Sequence, residues 1–354
     1  MSWSQMTLGD VIRLKRGHDL PASQRIHGEI PIISSSGVTG YHNSAKVEGP
    51  GVVTGRYGTL GEVHYVDGPY WPLNTALYVE DFKGNYPKFV AYLLLTLELG
   101  SQNTAGAVPG VNRNALHQLL VSVPDYDTQV DIASTLKKYD DLIETNRRRI
   151  CLLEESAHLL YREWFINLRF PGFELVKRID GIPEGWNRER LDSALLLQRG
   201  FDLPNALRTP GRIPIYASAG INGYHCEAKV KGPGVVTGRS GTLGIVHYVA
   251  GDFWPLNTAL WVKEFRRVTP LFTYFMLSEM NLAQYNSGAS VPSLDRKVVH
   301  SVEIVIPPGK VIDQFDEYVG PLFQQIEYLR EANLRAVEAR DALLPQLMSG
   351  AIRV

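Results

Sequence analysis

Two arginines stand in matching glycine-rich segments of this 354-residue chain. Arg56 lies in the run Thr-Gly-Arg-Tyr-Gly, and Arg239 lies in Thr-Gly-Arg-Ser-Gly. Glycines on both sides of a residue let the backbone approach a ligand closely. A guanidinium group offers a planar fork of donors that suits a phosphate or the O6 and N7 atoms of guanine. The alternative is that each arginine braces its own loop against a carboxylate.

Both segments belong to a unit that occurs twice in the chain. Trp3 corresponds to Trp186 and Pro124 to Pro307, and the same offset holds between them without an insertion. Most residues between Gly40 and Val79 are identical to their counterparts in the second copy, which chance does not produce. The period is far longer than that of a solenoid repeat, so the sequence predicts a duplicated domain together with its connector.

Each copy begins with a globule. Short apolar runs bounded by Gly or Pro, such as Gly51–Thr54, predict strands and turns. Pro87–Leu99 and its counterpart Pro270–Leu282 each predict a helix that begins at a proline. These patterns together indicate a mixed α+β globule.

A long helix follows each globule. Residues 127–165 contain no Gly or Pro, and apolar residues recur at alternating spacings of four and three, which is a heptad pattern. Residues 315–347 follow the same register, although Pro321 predicts a kink. The simplest partner for each helix is the other copy. Asn146 and Asn333, one in each pattern, either fix the register of this pairing or are simply tolerated near solvent.

The sequence therefore predicts an α+β fold, with two mixed α/β domains in a pseudo-twofold tandem repeat and two long antiparallel coiled-coil helices between them. The predicted boundaries are 1–125 for the first globule, 126–167 for the first helix, 168–185 for a linker, 186–308 for the second globule and 309–349 for the second helix.

Composition and motifs argue against several classes of protein. A net charge of −1 means that a nucleic-acid ligand would need positive charge concentrated on one face or supplied by a partner. The only cysteines, Cys151 and Cys226, lie outside any metal-binding spacing, so no metal site is expected. No motif for a methyltransferase, a nucleotide-driven motor or a hydrolase is present. No long apolar run or signal peptide is apparent, so we expect a cytoplasmic protein without membrane contact.

The order of motifs resembles the DNA-specificity subunits of type I restriction–modification systems, over essentially the whole chain. The resemblance rests on the two globules with their long helices and on the Gly-Pro-Gly-Val-Val-Thr-Gly-Arg-x-Gly segments. It also rests on the Val-Pro-x-x-x-Arg stretches that end at Arg113 and Arg296, the apolar strand ending in Val-Pro or Ile-Pro before each helix, and the segment Ile182–Trp186 that leads into the second copy.

The resemblance implies a non-catalytic protein. Each globule would be a target-recognition domain that reads one half of a bipartite site in double-stranded DNA. The helices would set the distance between half-sites and dock two methyltransferase subunits, which bind S-adenosylmethionine and methylate adenine N6. A motor-nuclease subunit would add cleavage of unmodified DNA. Because the two globules are near copies, we expect a nearly palindromic site.

The resemblance directs attention to loop residues that DNA could touch. The candidate DNA-binding residues, in matching pairs, are Arg56 and Arg239, Tyr41 and Tyr224, His42 and His225, Thr59 and Thr242, Arg113 and Arg296, Asn74 and Asn257, Thr75 and Thr258, and Ser35 and Ser218. Asn can pair with adenine, and Arg113 and Arg296 could hold a phosphate. For the other pairs, a buried ring, a turn hydroxyl or ordinary core packing remains an alternative.

Positions that differ between the copies fall in the same loops. They would be responsible for any difference between the half-sites. These positions are Ser34/Ala217, Ser36/Ala219, Thr39/Asn222, Tyr57/Ser240, Gly110/Ser293 and Asn112/Asp295.

Two other classes of protein fit parts of the pattern. A coiled-coil adaptor with two β-rich protein- or sugar-binding heads would explain the neutral charge. A duplicated hydrolase would need the repeated histidines to line a pocket with carboxylates.

Overall fold

A computed structural model of the chain describes residues 3–97, 99 and 110–354, and it divides into two compact units. Unit 1 comprises Met1–Asn146 and Ala332–Val354, and unit 2 comprises Arg147–Glu331. The sequence-based boundaries treated the helices as regions apart from the globules. In the structure each unit combines one globule with a segment of both helices, because side chains on the helices complete the core of the globule.

Unit 1 contains two main sheets. Its strands are β1 Ser4–Thr7, β2 Arg13–Arg16, β3 Ile30–Ser34, β4 Gly37–His42, β5 Gly51–Gly55, β6 Val63–Val66, β7 Trp71–Pro72, β8 Ala76–Asp81 and β9 Leu120–Val123. Its short helices are α1 Leu8–Val11, α2 Pro87–Thr96 and α3 Arg113–His117, with a 3-10 turn at Ala22–Gln24. One sheet has the antiparallel order β2-β8-β5-β6. The second has the order β4-β3-β7, in which β3 and β7 are parallel, and β1 pairs separately with β9.

Two long helices follow the globules in the chain. They are α4 Tyr126–Tyr161, which continues into a π-helical turn at Arg162–Ile166, and α8 Gly309–Met348. Helix α8 continues through Pro321 without interruption.

Unit 2 repeats the order of elements of unit 1. After the short pair β10 Arg178–Ile179 and β11 Ile182–Pro183, its strands are β12 Asn187–Arg190, β13 Leu195–Arg199, β14 Ile213–Ala217, β15 Gly220–His225, β16 Gly234–Gly238, β17 Val246–Val249, β18 Trp254–Pro255, β19 Ala259–Phe265 and β20 Glu303–Ile306. Its short helices are α5 Leu191–Ala194, α6 Pro270–Glu279 and α7 Arg296–His300, with 3-10 turns at Phe173–Leu175, Asn205–Leu207 and Leu282–Tyr285. The sheets are β13-β19-β16-β17 and β15-β14-β18, and β12 pairs with β20. The predicted mixed α/β fold with two long helices is therefore confirmed.

The central strands form because they are apolar on both faces. All five residues of β5 are buried, as are all five of β16. On one side of each strand α2 or α6 covers the sheet with its apolar side chains. Such continuous burial explains a run of Gly and Val without the alternation of a half-exposed strand.

Within unit 1 the segments of α4 and α8 run antiparallel. Asp140 pairs with Arg340 at 2.9 Å, whereas Asn146, further along α4, contacts the earlier Asn333 of α8. Asn146 is only 3% exposed, and its Nδ2 donates to Oδ1 of Asn333 at 3.0 Å. The buried amide of Asn146 is thus satisfied by the half-buried amide of Asn333 on the other helix.

Within unit 2 the same two helices also contact each other. An ion pair of 2.7 Å joins Glu154 on α4 to Arg330 on α8. Leucine and aromatic residues of both helices enter the main core of this unit. Among the described residues, no helix has the length and apolar character needed to cross a membrane.

Candidate nucleic-acid interface

A cleft of about 430 Å³ on the surface of unit 1 brings together three arginines that are far apart in sequence. Arg16 ends β2, Arg56 follows β5, and Arg113 begins α3. We call this surface cleft 1. Its lining residues are Arg16, Arg56, Tyr57, Leu77, Gly110, Val111, Asn112, Arg113 and Asn114.

The sheet and one backbone bridge assemble cleft 1. Strand β8 lies between β2 and β5, with Leu77 opposite Arg16 on one side and Thr54 on the other. The amide of Val111 donates to the carbonyl of Arg56 at 3.0 Å, which brings the start of α3 beside the loop. The chain next to Arg16 also lies close to the backbone of Leu73, which requires Gly17 because a Cβ there would lie 2.1 Å from the carbonyl oxygen of Leu73.

Unit 2 contains the matching cleft 2, of about 350 Å³. Its lining residues are Arg199, Arg239, Leu260, Ser287, Ser293, Leu294, Asp295 and Arg296. The amide of Leu294 donates to the carbonyl of Arg239 at 2.8 Å, as Val111 does to Arg56 in unit 1. The same three arginine positions therefore meet in both units.

Most of the positive charge in the clefts is not neutralised by neighbouring acids. In the described part of the chain, no carboxylate forms an ion pair with Arg56 or Arg113, or with Arg239 or Arg296. Arg16 and Arg199 have only long, exposed contacts to Asp19 and Asp202, at 3.4 and 3.9 Å. The predicted alternative of an arginine braced against a carboxylate is therefore not what the structure shows for Arg56 and Arg239.

Arg56 and Arg239 share one partner and differ in another. Nη1 of Arg56 donates to the carbonyl of Asn74 at 3.5 Å, as Arg239 does to the carbonyl of Asn257. The guanidinium of Arg56 lies 4.4 Å from the ring centroid of Tyr57 and donates to its hydroxyl at 3.3 Å. In unit 2 the residue that corresponds to Tyr57 is Ser240, and Nε of Arg239 donates to the carbonyl of Asn257 at 2.8 Å. In both cases the group is oriented by neutral partners, so its charge remains available to an anion or a base edge.

A histidine ties α3 to β2 in unit 1, and its counterpart does the same in unit 2. Nε2 of His117 accepts from the amide of Leu14 at 3.0 Å, and Nε2 of His300 accepts from the amide of Leu197 at 2.9 Å. Burial lowers the pKa of His117, and the charge of Arg113 lowers it further, so the ring stays neutral and can accept. These repeated histidines are thus positioning groups.

The Asn74-Thr75 pair and its counterpart Asn257-Thr258 hold the arginine loops in place by hydrogen bonds. The carbonyl of Thr75 accepts from the amides of Arg56 and Tyr57 at 2.9 and 3.1 Å, and that of Thr258 accepts from Arg239 at 2.8 Å. The side chain of Asn74 donates to Asp19, which also contacts Arg16. Asn257 donates in the same way to Asp202. A direct contact of these residues with DNA stays a prediction.

The tyrosine and the histidine of each predicted Tyr-His pair differ in their exposure to solvent. Tyr41 and Tyr224 are 58% and 50% exposed, whereas His42 and His225 are each 5% exposed. The ring of His42 lies edge-on to Trp71, and its Nδ1 bonds to the backbone of Ile26 at 3.0 Å. Burial of both rings against a tryptophan favours the alternative of a satisfied core histidine over a contact with DNA.

The remaining predicted residues lie outside the lining of the clefts. Thr59 and Thr242 are exposed in the turn that follows each arginine. Ser35 is only 8% exposed, and its hydroxyl lies close to Gly58, while Ser218 is partly exposed. Ser35 is therefore a poor candidate for a DNA contact, and the threonines remain predictions.

Arg16 and Arg199 were missed by the search for candidate residues. The sequence does contain a pattern that could have identified them, because the run Arg-Gly-x-Asp-Leu-Pro occurs in both copies. What the sequence did not reveal is that β2 pairs with β8, which places Arg16 next to the distant loop that carries Arg56.

Comparisons with known proteins find similar sequences over parts of the chain. Residues 1–155 match the family model of the type I restriction modification DNA specificity domain. The chain is 26% identical over 282 residues to the type I restriction enzyme MjaIX specificity subunit of Methanocaldococcus jannaschii, covering 70% of this chain and 63% of that protein. It is 26% identical over 142 residues to the type I restriction enzyme EcoprrI specificity subunit of Escherichia coli, covering 38% and 35%. These alignments span less than two thirds of either relative.

A solved structure has the same fold over nearly the whole chain. The S subunit of a type I restriction-modification system from M. genitalium aligns with a TM-score of 0.64 at 15% identity, covering 98% of this chain and 96% of that one. The fold is therefore that of a type I S subunit. The chain is similar to type I restriction enzyme specificity subunits, and the resemblance seen in its sequence is confirmed.

Proposed function

We propose that this protein is the DNA-specificity subunit of a type I restriction–modification complex, and that each unit reads one half of a bipartite, nearly palindromic site. The observation that carries the proposal is the occurrence of the same three-arginine cleft in both units. A protein that recognises two similar half-sites needs the same set of contacts twice, whereas a protein that binds a single ligand needs them once.

The chemistry of the clefts suits DNA. Three guanidinium groups around a shallow opening can neutralise phosphates and can also pair with guanine O6 and N7 in the major groove. The clefts also answer the objection raised by the net charge of −1, since positive charge is concentrated at the surface where binding is proposed.

The long helices supply the second part of the proposal. We expect them to pair as an antiparallel coiled coil between two repeated recognition domains, with Asn146 and Asn333 fixing the register. Their outer faces would dock two methyltransferase subunits, and a motor-nuclease subunit would join the complex for cleavage.

Catalysis is assigned to the partners in this proposal. The methyltransferase subunits would bind S-adenosylmethionine and methylate adenine N6 within the site. This chain would contribute DNA binding and the placement of those subunits, and we assign no catalytic residue, metal or cofactor to it.

Modification mapping by long-read sequencing tests the proposal. The chain would be expressed with its cognate adenine methyltransferase, and the genome-wide N6-methyladenine pattern would be compared with that of cells lacking only this chain. We expect a bipartite motif that disappears without the chain.

Two variants make the test specific to the clefts. The double variant Arg56→Ala with Arg239→Ala should abolish methylation at the motif. The control Arg169→Ala removes an exposed arginine that is paired with Glu163, and it should leave the motif intact. A methylation pattern that is the same with and without the chain would contradict the proposed function.

A further inference from the structure

Clefts 1 and 2 share their arginines but differ at one position directly beside them. The residue before α3 is Asn112, and the residue before α7 is Asp295. Both side chains are exposed, and both line their cleft. An amide thus occupies in cleft 1 the place that a carboxylate occupies in cleft 2.

The backbone holds the two side chains in the same way. Oδ1 of Asn112 accepts from the amide of Asn114 at 2.9 Å, and Oδ1 of Asp295 accepts from the amide of Lys297 at 2.8 Å. Each residue therefore caps its short helix with its Oδ1 atom, which leaves its second terminal atom for a ligand in the cleft. That atom is a nitrogen donor in Asn112 and an oxygen acceptor in Asp295.

The second oxygen of Asp295 is not used by the neighbouring arginines. In the portion of the chain described by the structure, no ion pair joins Asp295 to Arg296 or Arg239. The carboxylate thus keeps its accepting capacity next to the three guanidinium groups of cleft 2.

The two side chains match different bases. An asparagine can donate to N7 of adenine and accept from its N6 amino group, because its carbonyl oxygen retains a second lone pair. An aspartate can only accept, so it cannot pair with N7 of adenine, and its usual partner in the major groove is the N4 amino group of cytosine. A carboxylate facing a phosphate would be repelled, so a base edge is the better partner for Asp295.

We infer that Asn112 and Asp295 are specificity-determining residues that make the two half-sites differ at one base pair, with adenine read in one half and cytosine in the other. This inference rests on the proposed function. It predicts a target that is palindromic at the positions read by the shared arginines and broken at the position read by this pair.

Reciprocal substitutions test the inference with little disturbance of the fold, since Asn and Asp cap helices about equally well. In modification mapping of the complete complex, Asn112→Asp should change the preferred base from adenine to cytosine in one half-site only. Asp295→Asn should make the opposite change in the other half. The control Asn43→Asp makes the same change of charge at an exposed position outside the clefts and should leave the motif unaltered.

The outcomes separate this inference from the proposed function. A chain-dependent motif that is perfectly palindromic, or that neither substitution alters, would overturn the inference and leave the proposed function standing. Absence of any chain-dependent motif would overturn the proposed function itself. If a variant is inactive, binding of its complex to fluorescent duplexes with adenine or cytosine at that position decides the matter. A variant that keeps the wild-type order of affinities would overturn the inference.

Discussion

The junction between globule and long helices is built from polar groups in unit 1 and from aromatic groups in unit 2. In unit 1, the hydroxyl of Tyr92 donates to Asp140, which pairs with Arg340 at 2.9 Å. The matching positions of the repeat are occupied by Phe275, Phe323 and Ala157. There the two phenylalanine rings lie 5.7 Å apart within the main core of unit 2.

This contrast shows which parts of the duplicated unit tolerate replacement. A satisfied polar network and an aromatic cluster can both fill the same junction, provided that each is complete. The arginines of the clefts, by comparison, are the same in both units. The side chains at this junction differ between the units while the three arginines of each cleft are the same, which is what a duplicated binding site would require.

The largest effect is expected from Phe275→Ala. Removal of a fully buried ring leaves a cavity, and we expect unit 2 to lose about 3–5 kcal/mol of unfolding free energy. Hydrogen exchange, read separately for peptides of each unit, measures this loss. The control Leu175→Ala removes an apolar side chain that is 92% exposed and should have almost no effect. Equal protection in both variants would show that the aromatic cluster does not stabilise unit 2.

Replacing the polar junction of unit 1 with the side chains found in unit 2 tests the comparison more directly. The single change Asp140→Ala leaves the hydroxyl of Tyr92 and the guanidinium of Arg340 without their shared partner, at a cost of about 1–3 kcal/mol. The triple variant Tyr92→Phe, Asp140→Phe and Arg340→Ala copies the junction of unit 2. We expect it to be more stable than the single variant, because packed apolar groups can replace a half-buried ion pair without leaving a polar group unsatisfied. Thermal unfolding that ranks the triple variant below the single one would contradict the equivalence of the junctions.

A half-buried carboxylate in unit 2 has no counterpart in unit 1, where Ala133 takes the place of Asp316. Burial, opposed by a hydrogen bond from Thr269 and aided by the charge of Asp313, raises the pKa of Asp316 to about 6. The native state therefore binds the proton more tightly than the unfolded state does. The contribution of Asp316 to stability consequently improves as the pH falls from about 7 to 4 and is lost as the pH rises through about 6.

The variant Asp316→Asn tests this pH dependence. Because the side chain is partly exposed and solvent screens its charge, we expect a gain of about 1–2 kcal/mol at pH 7.5 that shrinks toward pH 4. Urea unfolding of unit 2 across this pH range measures the difference. A gain that is the same at both ends of the range would show that the ionisation of Asp316 is not its cause.

The smallest effect is expected at the paired asparagines. Asn146→Leu leaves the side-chain oxygen of Asn333 without its donor and should cost about 1 kcal/mol in unit 1. The double variant with Asn333→Leu should recover most of this loss, because two leucines pack in a buried position without an unsatisfied group. If the stability costs of the two single variants simply add in a double-mutant cycle, the two asparagines do not form a pair that fixes the register.

Local patterns in the sequence predicted much of the fold. The heptad spacing identified buried positions such as Ile132 and Ala157, and the apolar run at Gly51 identified a strand that is buried on both faces. These features depend on neighbours in sequence. The division of the chain into two compact units could not be predicted from these patterns. It depends on which of the two cores each segment of a long helix packs against, and those contacts join residues that are far apart in sequence.

The candidate site was predicted only in part. Arg56 and Arg113 were recognised separately, but their meeting depends on a backbone contact from Val111 to Arg56. Arg16 was missed for a similar reason, since its neighbours are set by strand pairing. The burial of His42 depends on the packing of Trp71, which no local pattern reveals.

The central claim is that each unit reads its own half of the target, and single variants of the two clefts test it most directly. The N6-methyladenine motif would be mapped for complexes carrying Arg56→Ala or Arg239→Ala alone. We expect each variant to relax or weaken recognition in one half of the motif, with a different half affected by each, at a cost of about 1–3 kcal/mol. If both variants altered the same half, or if neither altered the motif, the assignment of one half-site to each unit would be wrong.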